Sequence, residues 1–158
     1  MSKFSSRKVD YDVGLGEPLC HLLAKSAGIH AAETGVLNAG DKYHTLLSRR
    51  FDRTQDGKRI HFASAMTLLG LTDGCNAGTG NGYLDIVDFI LQNCCDVESN
   101  LRELYRRVAF NICVGNSDDH FRNHGFLLTK RGWTLAPAYD MNPTTNDYQS
   151  ILITASSN

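Results

Sequence analysis

The sequence predicts a single α+β domain, mostly helical, on three observations. Leu101, Leu104, Tyr105, Val108, Ala109, Ile112 and Cys113 recur at the i, i+3, i+4, i+7 spacing of an amphipathic helix. Two short apolar runs, Phe126 to Thr129 and Trp133 to Ala136, flank Lys130-Arg131-Gly132, a hairpin with glycine at its turn. No internal repeat or linker divides the 158 residues, a length that suits one domain with its own core.

Residues 1–10 read as the end of a strand followed by a charged loop. Glu17 to Ala27 reads as a helix. Pro18 suits its first turn, Leu19, Leu22, Leu23 and Ala27 form its stripe, and Gly28 ends it. Ile29 to Leu37 is ambiguous, an extended segment being one reading. Asp41 to Phe51 contains a strand, Tyr43 to Phe51, after an Ala-Gly-Asp turn. Thr54-Gln55-Asp56-Gly57 is a turn, and Arg59 to Phe62 can return as a strand. Ser64 to Leu71 is a short helix candidate. Asp73 to Gly82 alternates glycine with polar residues and reads as a surface loop. A phosphate-binding loop would add a Lys-Ser/Thr after the glycines and a clear strand before them, which this stretch lacks. Tyr83 to Asn93 is an amphipathic helix. The longer helix from about Ser99 to Val114 is expected to be the central buried one, with Arg102, Arg106 and Arg107 mainly off its stripe. The last fifteen residues are polar apart from Ile151-Leu152-Ile153, a strand candidate, and the final Thr-Ala-Ser-Ser-Asn reads as frayed.

Composition narrows the function classes. With 42% hydrophobic and 21% charged residues the chain has the balance of a soluble globular protein. The net charge of -1 and pI of about 6.6 give no global basic field for nucleic acid, so no direct nucleic-acid binding is expected. The arginines at 49, 50 and 53 and at 102, 106 and 107 read as solvated faces and ion pairs. No apolar run reaches the roughly 18 to 20 residues that span a bilayer. The N-terminus lacks the apolar core of a signal peptide. The expected location is the cytoplasm, with no membrane partner. The five cysteines are odd in number and include no Cys-x-x-Cys pair, which argues against a disulfide framework or a structural zinc site. Cys20 and Cys113 fall on apolar stripes and are expected in the core.

Chemistry concentrates between residues 116 and 140. The string is Asn116-Ser117-Asp118-Asp119-His120-Phe121-Arg122-Asn123-His124-Gly125-Phe126, then the hairpin, then Ala136-Pro137-Ala138-Tyr139-Asp140. A carboxylate, an amide five residues later, a hairpin and a second carboxylate form the order in which protein kinases present their phosphoryl-transfer groups. Such a reaction needs a carboxylate that orients a hydroxyl and accepts its proton, for which Asp118 is the candidate. It also needs oxygen ligands for Mg²⁺, for which Asn123 and Asp140 are suited. Singly, each has a plainer reading: paired aspartates commonly cap or turn a loop, and an Asn before His-Gly commonly sits in a left-handed turn. Their order gives them weight. His120 and His124, four apart beside Asp118 and Asp119, raise a second possibility, a metal-dependent hydrolase. The Glu of a His-Glu-x-x-His motif is absent and Gly125 argues against a helix there, so these histidines read as groups that orient the loop.

On these residues the sequence resembles the HipA-type serine/threonine kinases, the toxin half of bacterial toxin–antitoxin pairs. The likeness runs through Arg50-Phe51-Asp52-Arg53, Arg59-Ile60-His61, Phe110-Asn111, Gly115 to His120, Arg122 to Phe126 and Pro137 to Asp140. It also looks good at Lys3-Phe4-Ser5-Ser6, Asp10 to Gly14 and Leu22 to Ile29, the helix matches being weak alone, and so spans nearly all of residues 3 to 143. The resemblance implies a mostly helical kinase-like large lobe with a catalytic hairpin and a remnant of small-lobe strands. Residues 1–53 would be the small-lobe remnant and hinge, and residues 54–158 the catalytic large lobe. It implies ATP and Mg²⁺ as cofactors and Asp118 as catalytic base, with Asn123 and Asp140 as metal ligands. Lys3 would contact the nucleotide phosphates, with Glu17 as its ion-pair partner. Arg49 and Phe51 would meet the adenine at the hinge. The implied substrate is a protein of translation, such as an aminoacyl-tRNA synthetase. The implied partner is an antitoxin of the HipB type. Only Met1 and Ser2 precede Lys3 and eighteen residues follow Asp140, so the chain reads as this family truncated at both ends. A separate polypeptide supplying an N-terminal lobe is then an alternative partner. A non-catalytic module that binds a partner or nucleotide is the alternative function.

Overall fold

The computed structural model describes residues 2–4, 13–38 and 44–143. Strand β1 (Ser2–Phe4) is followed by helix α1 (Val13–Ser26), then β2 (Thr34–Asn38) and β3 (His44–Ser48). The strands form an antiparallel sheet in the order β1-β3-β2, with Lys3 and Val36 both opposite Leu46. Helix α1 packs on all three. It starts a turn earlier than expected, so Pro18 lies inside it rather than in its first turn. A proline there drops one helical hydrogen bond. Gly16 lies under the Pro143 ring, 3.6 Å from where a Cβ would stand, so tertiary packing supports a turn that its glycines disfavour.

The expected apolar stripe of α1 does not face the core. Leu19, Leu22 and Leu23 are 58, 66 and 47% exposed, and Ala27 is exposed as well. The buried line is Glu17, Cys20, His21 and Ala24, a helical stripe set two residues earlier and so on nearly the opposite face. Gly28, at φ 78°, ends the helix as expected. The ambiguous stretch that follows is extended: Ala31 bridges Ala138, and Ala32 donates to the Ala138 carbonyl at 2.8 Å. This pairing draws the first sheet to the 136–141 segment.

The second unit comprises β4 (His61–Ser64), α2 (Ala65–Leu68), α3 (Tyr83–Asn93), α4 (Val97–Val114), β5 (Gly125–Thr129) and β6 (Gly132–Leu135). Its antiparallel sheet runs β4-β5-β6, so β4 does not return to the preceding strand but pairs with β5, Phe62 opposite Leu127. Ser64 caps α2 by accepting from the Thr67 N–H. The Asp73–Gly82 loop is irregular apart from one 3₁₀ turn at Ala77–Thr79. The expected strand at 151–153 lies outside the described residues.

Helix α4 is central as expected, yet its buried face differs. Asn100, Leu104, Arg107, Phe110 and Asn111 point inward, while Tyr105 and Ile112 are 74 and 47% exposed and Cys113 is exposed rather than in the core. The rotation has a polar cause. Asn100 Oδ1 accepts from the Leu135 N–H at 2.7 Å, and Arg107 Nη2 donates to the Ala136 carbonyl at 2.7 Å. These side chains satisfy backbone groups at the end of the hairpin that burial would otherwise leave unpaired. One core joins Ile86, Ile90, Leu104, Phe121, Phe126 and Leu135. A second, of Cys20, Ala24, Phe110, Ala138 and Met141, ties α1 to α4. Among the described residues no helix is long and apolar enough to cross a membrane.

Candidate active site

Helix α4 stops at Gly115, whose φ of 66° is open to a residue without a Cβ, and the Asn116 N–H closes back on the Asn111 carbonyl at 2.9 Å. That cap aims the chain into the loop 116–124. The two adjacent aspartates then part. Asp118 is exposed, whereas Asp119 is 1% exposed. The Asp119 carboxylate accepts from the Tyr83 hydroxyl of α3, and both its oxygens meet His124 Nε2, at 3.0 and 3.1 Å. Burial works to raise its pKa, but the His124 charge and hydrogen bonds from His124, Tyr83 and Asn111 outweigh it and hold the carboxyl below the usual range. The histidine expected to orient the loop is thus an anchor through Asp119. Among the described residues, His120 makes no such pair with a carboxylate.

Asn123 is brought back beneath Asp118 by a turn. Its N–H donates to the His120 carbonyl at 2.8 Å and its Nδ2 to the Asp118 carbonyl at 3.1 Å. The amide nitrogen is therefore engaged with the loop, leaving Oδ1 as the atom suited to a metal. Asp140 follows β6 and sits at φ 56°, uncommon outside glycine. Its Oδ1 accepts from Asn142 Nδ2 at 2.8 Å. Asn123 and Asp140 line the same narrow crevice, with Arg107, Asn116 and His124. Among the described residues, buried Arg107 Nη1, Asn116 Oδ1 and His124 Nδ1 find no hydrogen-bond partner, which makes the crevice strongly polar. Burial lowers the Arg107 pKa, and Glu103 opposes the shift.

Beside the crevice opens a pocket of about 390 Å³, lined by Arg49, Phe51, Phe62, Arg122 and Tyr139 among others. The three aromatic rings form one wall: Phe51 lies 5.6 Å from Tyr139 and 5.7 Å from Phe62, centroid to centroid. Gly125 makes this wall possible, because a Cβ there would collide with the Phe62 ring and stand 3.1 Å from the Tyr139 hydroxyl. Arg122 pairs with Asp73. Arg50 and Arg53 flank Asp52, and the Arg50 hydrogen bond above all holds its carboxyl below the usual range. Arg49 pairs with Glu33 at 2.9 Å. A larger, open depression of about 590 Å³ on the first sheet, at Glu33, Thr34, Gly35 and Leu47, contains none of the candidate carboxylates.

The structure thus brings Asn123 and Asp140 together, with Arg49 and Phe51 in the adjoining pocket and Asp118 on the loop's exposed side. Lys3 lies on β1, paired with the strand that leads to the pocket, and Glu17 is buried on α1 within 3.7 Å of His21 Nε2. An amide oxygen and a carboxylate are hard donors that fit Mg²⁺, with phosphates and waters completing its shell. No cluster of three or more His, Cys, Asp or Glu suited to a metal occurs among the described residues. Sequence reasoning overlooked Tyr83, Arg107 and Asn111. Their signal was polar residues on helices whose apolar stripe was incomplete.

The fold is α+β, two small antiparallel sheets with their helices. Residues 1–157 match the family model described as the HipA-like C-terminal domain, and the chain belongs to that family. It is 28% identical to a putative kinase of Haemophilus influenzae over 144 residues, covering 83% of this chain and 42% of that protein. It is also 28% identical to the serine/threonine-protein kinase toxin HipA of Shewanella oneidensis over 136 residues, covering 75% of this chain and 31% of the toxin. The chain therefore spans less than half the length of the curated relatives it matches. Among solved structures, HipA in the Shewanella oneidensis complex of HipA, HipB and operator DNA superposes with a TM-score of 0.80 at 22% identity, over 98% of this chain and 40% of that one. The Helicobacter pylori proinflammatory kinase CtkA gives 0.69 at 18% identity, over 90% of this chain and 50% of its own. Both likenesses concern the fold.

Proposed function

We propose that this chain is the nucleotide- and metal-binding part of an ATP- and Mg²⁺-dependent serine/threonine protein kinase of the HipA type. The observation that carries the reading is the convergence of Asn123 and Asp140 on one polar crevice next to an aromatic-walled pocket. Residues 1–53 act as the small-lobe strands and hinge, and residues 54–158 as the catalytic large lobe. Arg49 and Phe51 contact the adenine, and Lys3 the phosphates. Asn123 and Asp140 hold Mg²⁺, which when bound neutralises charge on the phosphate oxygens. Asp118, exposed at the loop surface, orients the substrate hydroxyl and accepts its proton. Asp119, His124 and Tyr83 keep that loop in place from below.

The substrate in this reading is a cytoplasmic protein of translation, such as an aminoacyl-tRNA synthetase. The partner is an antitoxin of the HipB type, HipB being present in the Shewanella complex, or a polypeptide contributing further N-terminal lobe. ATP with Mg²⁺ should raise the melting temperature of the chain, and Asp140→Ala should remove that shift. Phosphorylation of a protein substrate should vanish in Asp118→Asn. Since the chain spans 31 to 42% of its curated relatives, a non-catalytic binding module is the second reading. It gains if ATP and Mg²⁺ give no shift either alone or with an added N-terminal lobe.

A further inference from the structure

Among the described residues, Tyr139 alone is shared by the linings of the aromatic pocket and of the crevice that holds Asn123 and Asp140. Its ring faces Phe51 and Phe62, at 5.6 and 6.1 Å. Its hydroxyl donates to the Arg122 carbonyl at 2.5 Å. That carbonyl belongs to the peptide unit whose N–H is that of Asn123, and the N–H is itself held by the His120 carbonyl at 2.8 Å. One peptide plane is therefore gripped on both edges, and its orientation sets where the Asn123 side chain begins. On the other side Tyr139 is bonded directly to Asp140, whose left-handed backbone persists only because its surroundings impose it. The missing Cβ at Gly125 leaves the space the Phe62 ring occupies, with the Tyr139 hydroxyl 3.1 Å from where that Cβ would stand.

We propose that Tyr139 is a positioning residue that couples occupancy of the aromatic pocket to the placement of Asn123 and Asp140. A planar heteroaromatic ligand entering the pocket presses on the ring, and the ring moves the Arg122–Asn123 peptide through the hydroxyl and Asp140 through the chain. The inference rests on the kinase reading, since it takes the pocket's ligand to be a purine nucleotide. It goes further by making the metal ligands responsive to the base rather than to the phosphates alone.

Adenosine tests this, because it has no phosphate with which to reach the loop. In the wild-type chain, adenosine at saturation should shift the backbone amide resonance of Asn123 in ¹H–¹⁵N spectra. Tyr139→Phe keeps the ring and removes the hydroxyl, so at adenosine concentrations that saturate the variant itself it should lose the Asn123 shift. Calorimetry should agree: the factor by which Mg²⁺ tightens ATP binding should fall at least about fivefold in Tyr139→Phe, a typical size for coupling between sites. The wild-type spectrum alone can overturn the idea, so it does not depend on the variant folding. Adenosine binding without an Asn123 shift, or an equal shift in Tyr139→Phe, sinks the coupling and leaves the kinase reading standing. Failure of adenosine and of ATP with Mg²⁺ to bind either the chain alone or the chain with an added N-terminal lobe sinks both.

Discussion

Asp118 and Asp119 are neighbours in sequence with opposite physical circumstances. Asp118 is exposed, so Asp118→Asn should leave stability within about 0.5 kcal/mol while abolishing phosphorylation. Asp119 is buried against Tyr83 and His124, and its charge holds the loop to α3. Asp119→Asn should lower stability by about 1–3 kcal/mol at neutral pH, because it weakens a buried charged hydrogen-bond network. The pH dependence has a definite sign. The Asp119 carboxyl is depressed in the folded chain, so its contribution is fully present above the ordinary value, about 3.9, and is lost as pH falls through the folded value. Urea melts from pH 7 to pH 3 should show the variant's deficit at pH 7 shrinking below about pH 4. An equal deficit at every pH would mean that the charge is not what holds the loop.

At the scale of elements, the hairpin and α4 act as one piece because buried polar side chains of α4 reach the hairpin backbone at Leu135 and Ala136. The hairpin and loop were readable from spacing, as was the α3 span of Tyr83–Asn93. The inward face of α4 was not, since Arg107 belongs on a solvent face by any local rule and is 3% exposed here. Strand β5 opens on Gly125, where the aromatic wall crosses the sheet. Gly125→Ala should overpack that crossing and cost about 1–3 kcal/mol. Displacing Phe62 and Tyr139 should also weaken nucleotide binding. A urea midpoint unchanged from wild type would show that the wall yields without cost.

Across the whole molecule, the first sheet with α1 and the second sheet with its helices meet at Cys20, Ala24, Phe110, Ala138 and Met141 and at the Ala31–Ala138 bridge. The site lies along that junction. Away from it, Leu15, Leu19, Leu22 and Leu23 form an exposed row on α1, 45 to 66% accessible. Rows of this kind on a lone chain favour association. At tens of micromolar the chain is expected to sediment faster than a 17.5 kDa monomer, and Leu19→Glu with Leu22→Glu should return it to monomer. Identical monomeric sedimentation of both proteins would refute this.

Local chemistry sufficed for the identity and order of Asp118, Asn123 and Asp140, for the hairpin that separates them, and for the glycine that stops α1. Spacing carries that information because turns, caps and periodicity are decided within a few residues. The buried faces of α1 and α4 came from folding. So did the pairing of β4 with a strand some sixty residues away, the split between Asp118 and Asp119, and the place of Tyr139 between two cavities. Helical periodicity shows that a helix forms. Which side it buries depends on distant backbone carbonyls and carboxylates that need partners, and those meet only when the chain closes on itself.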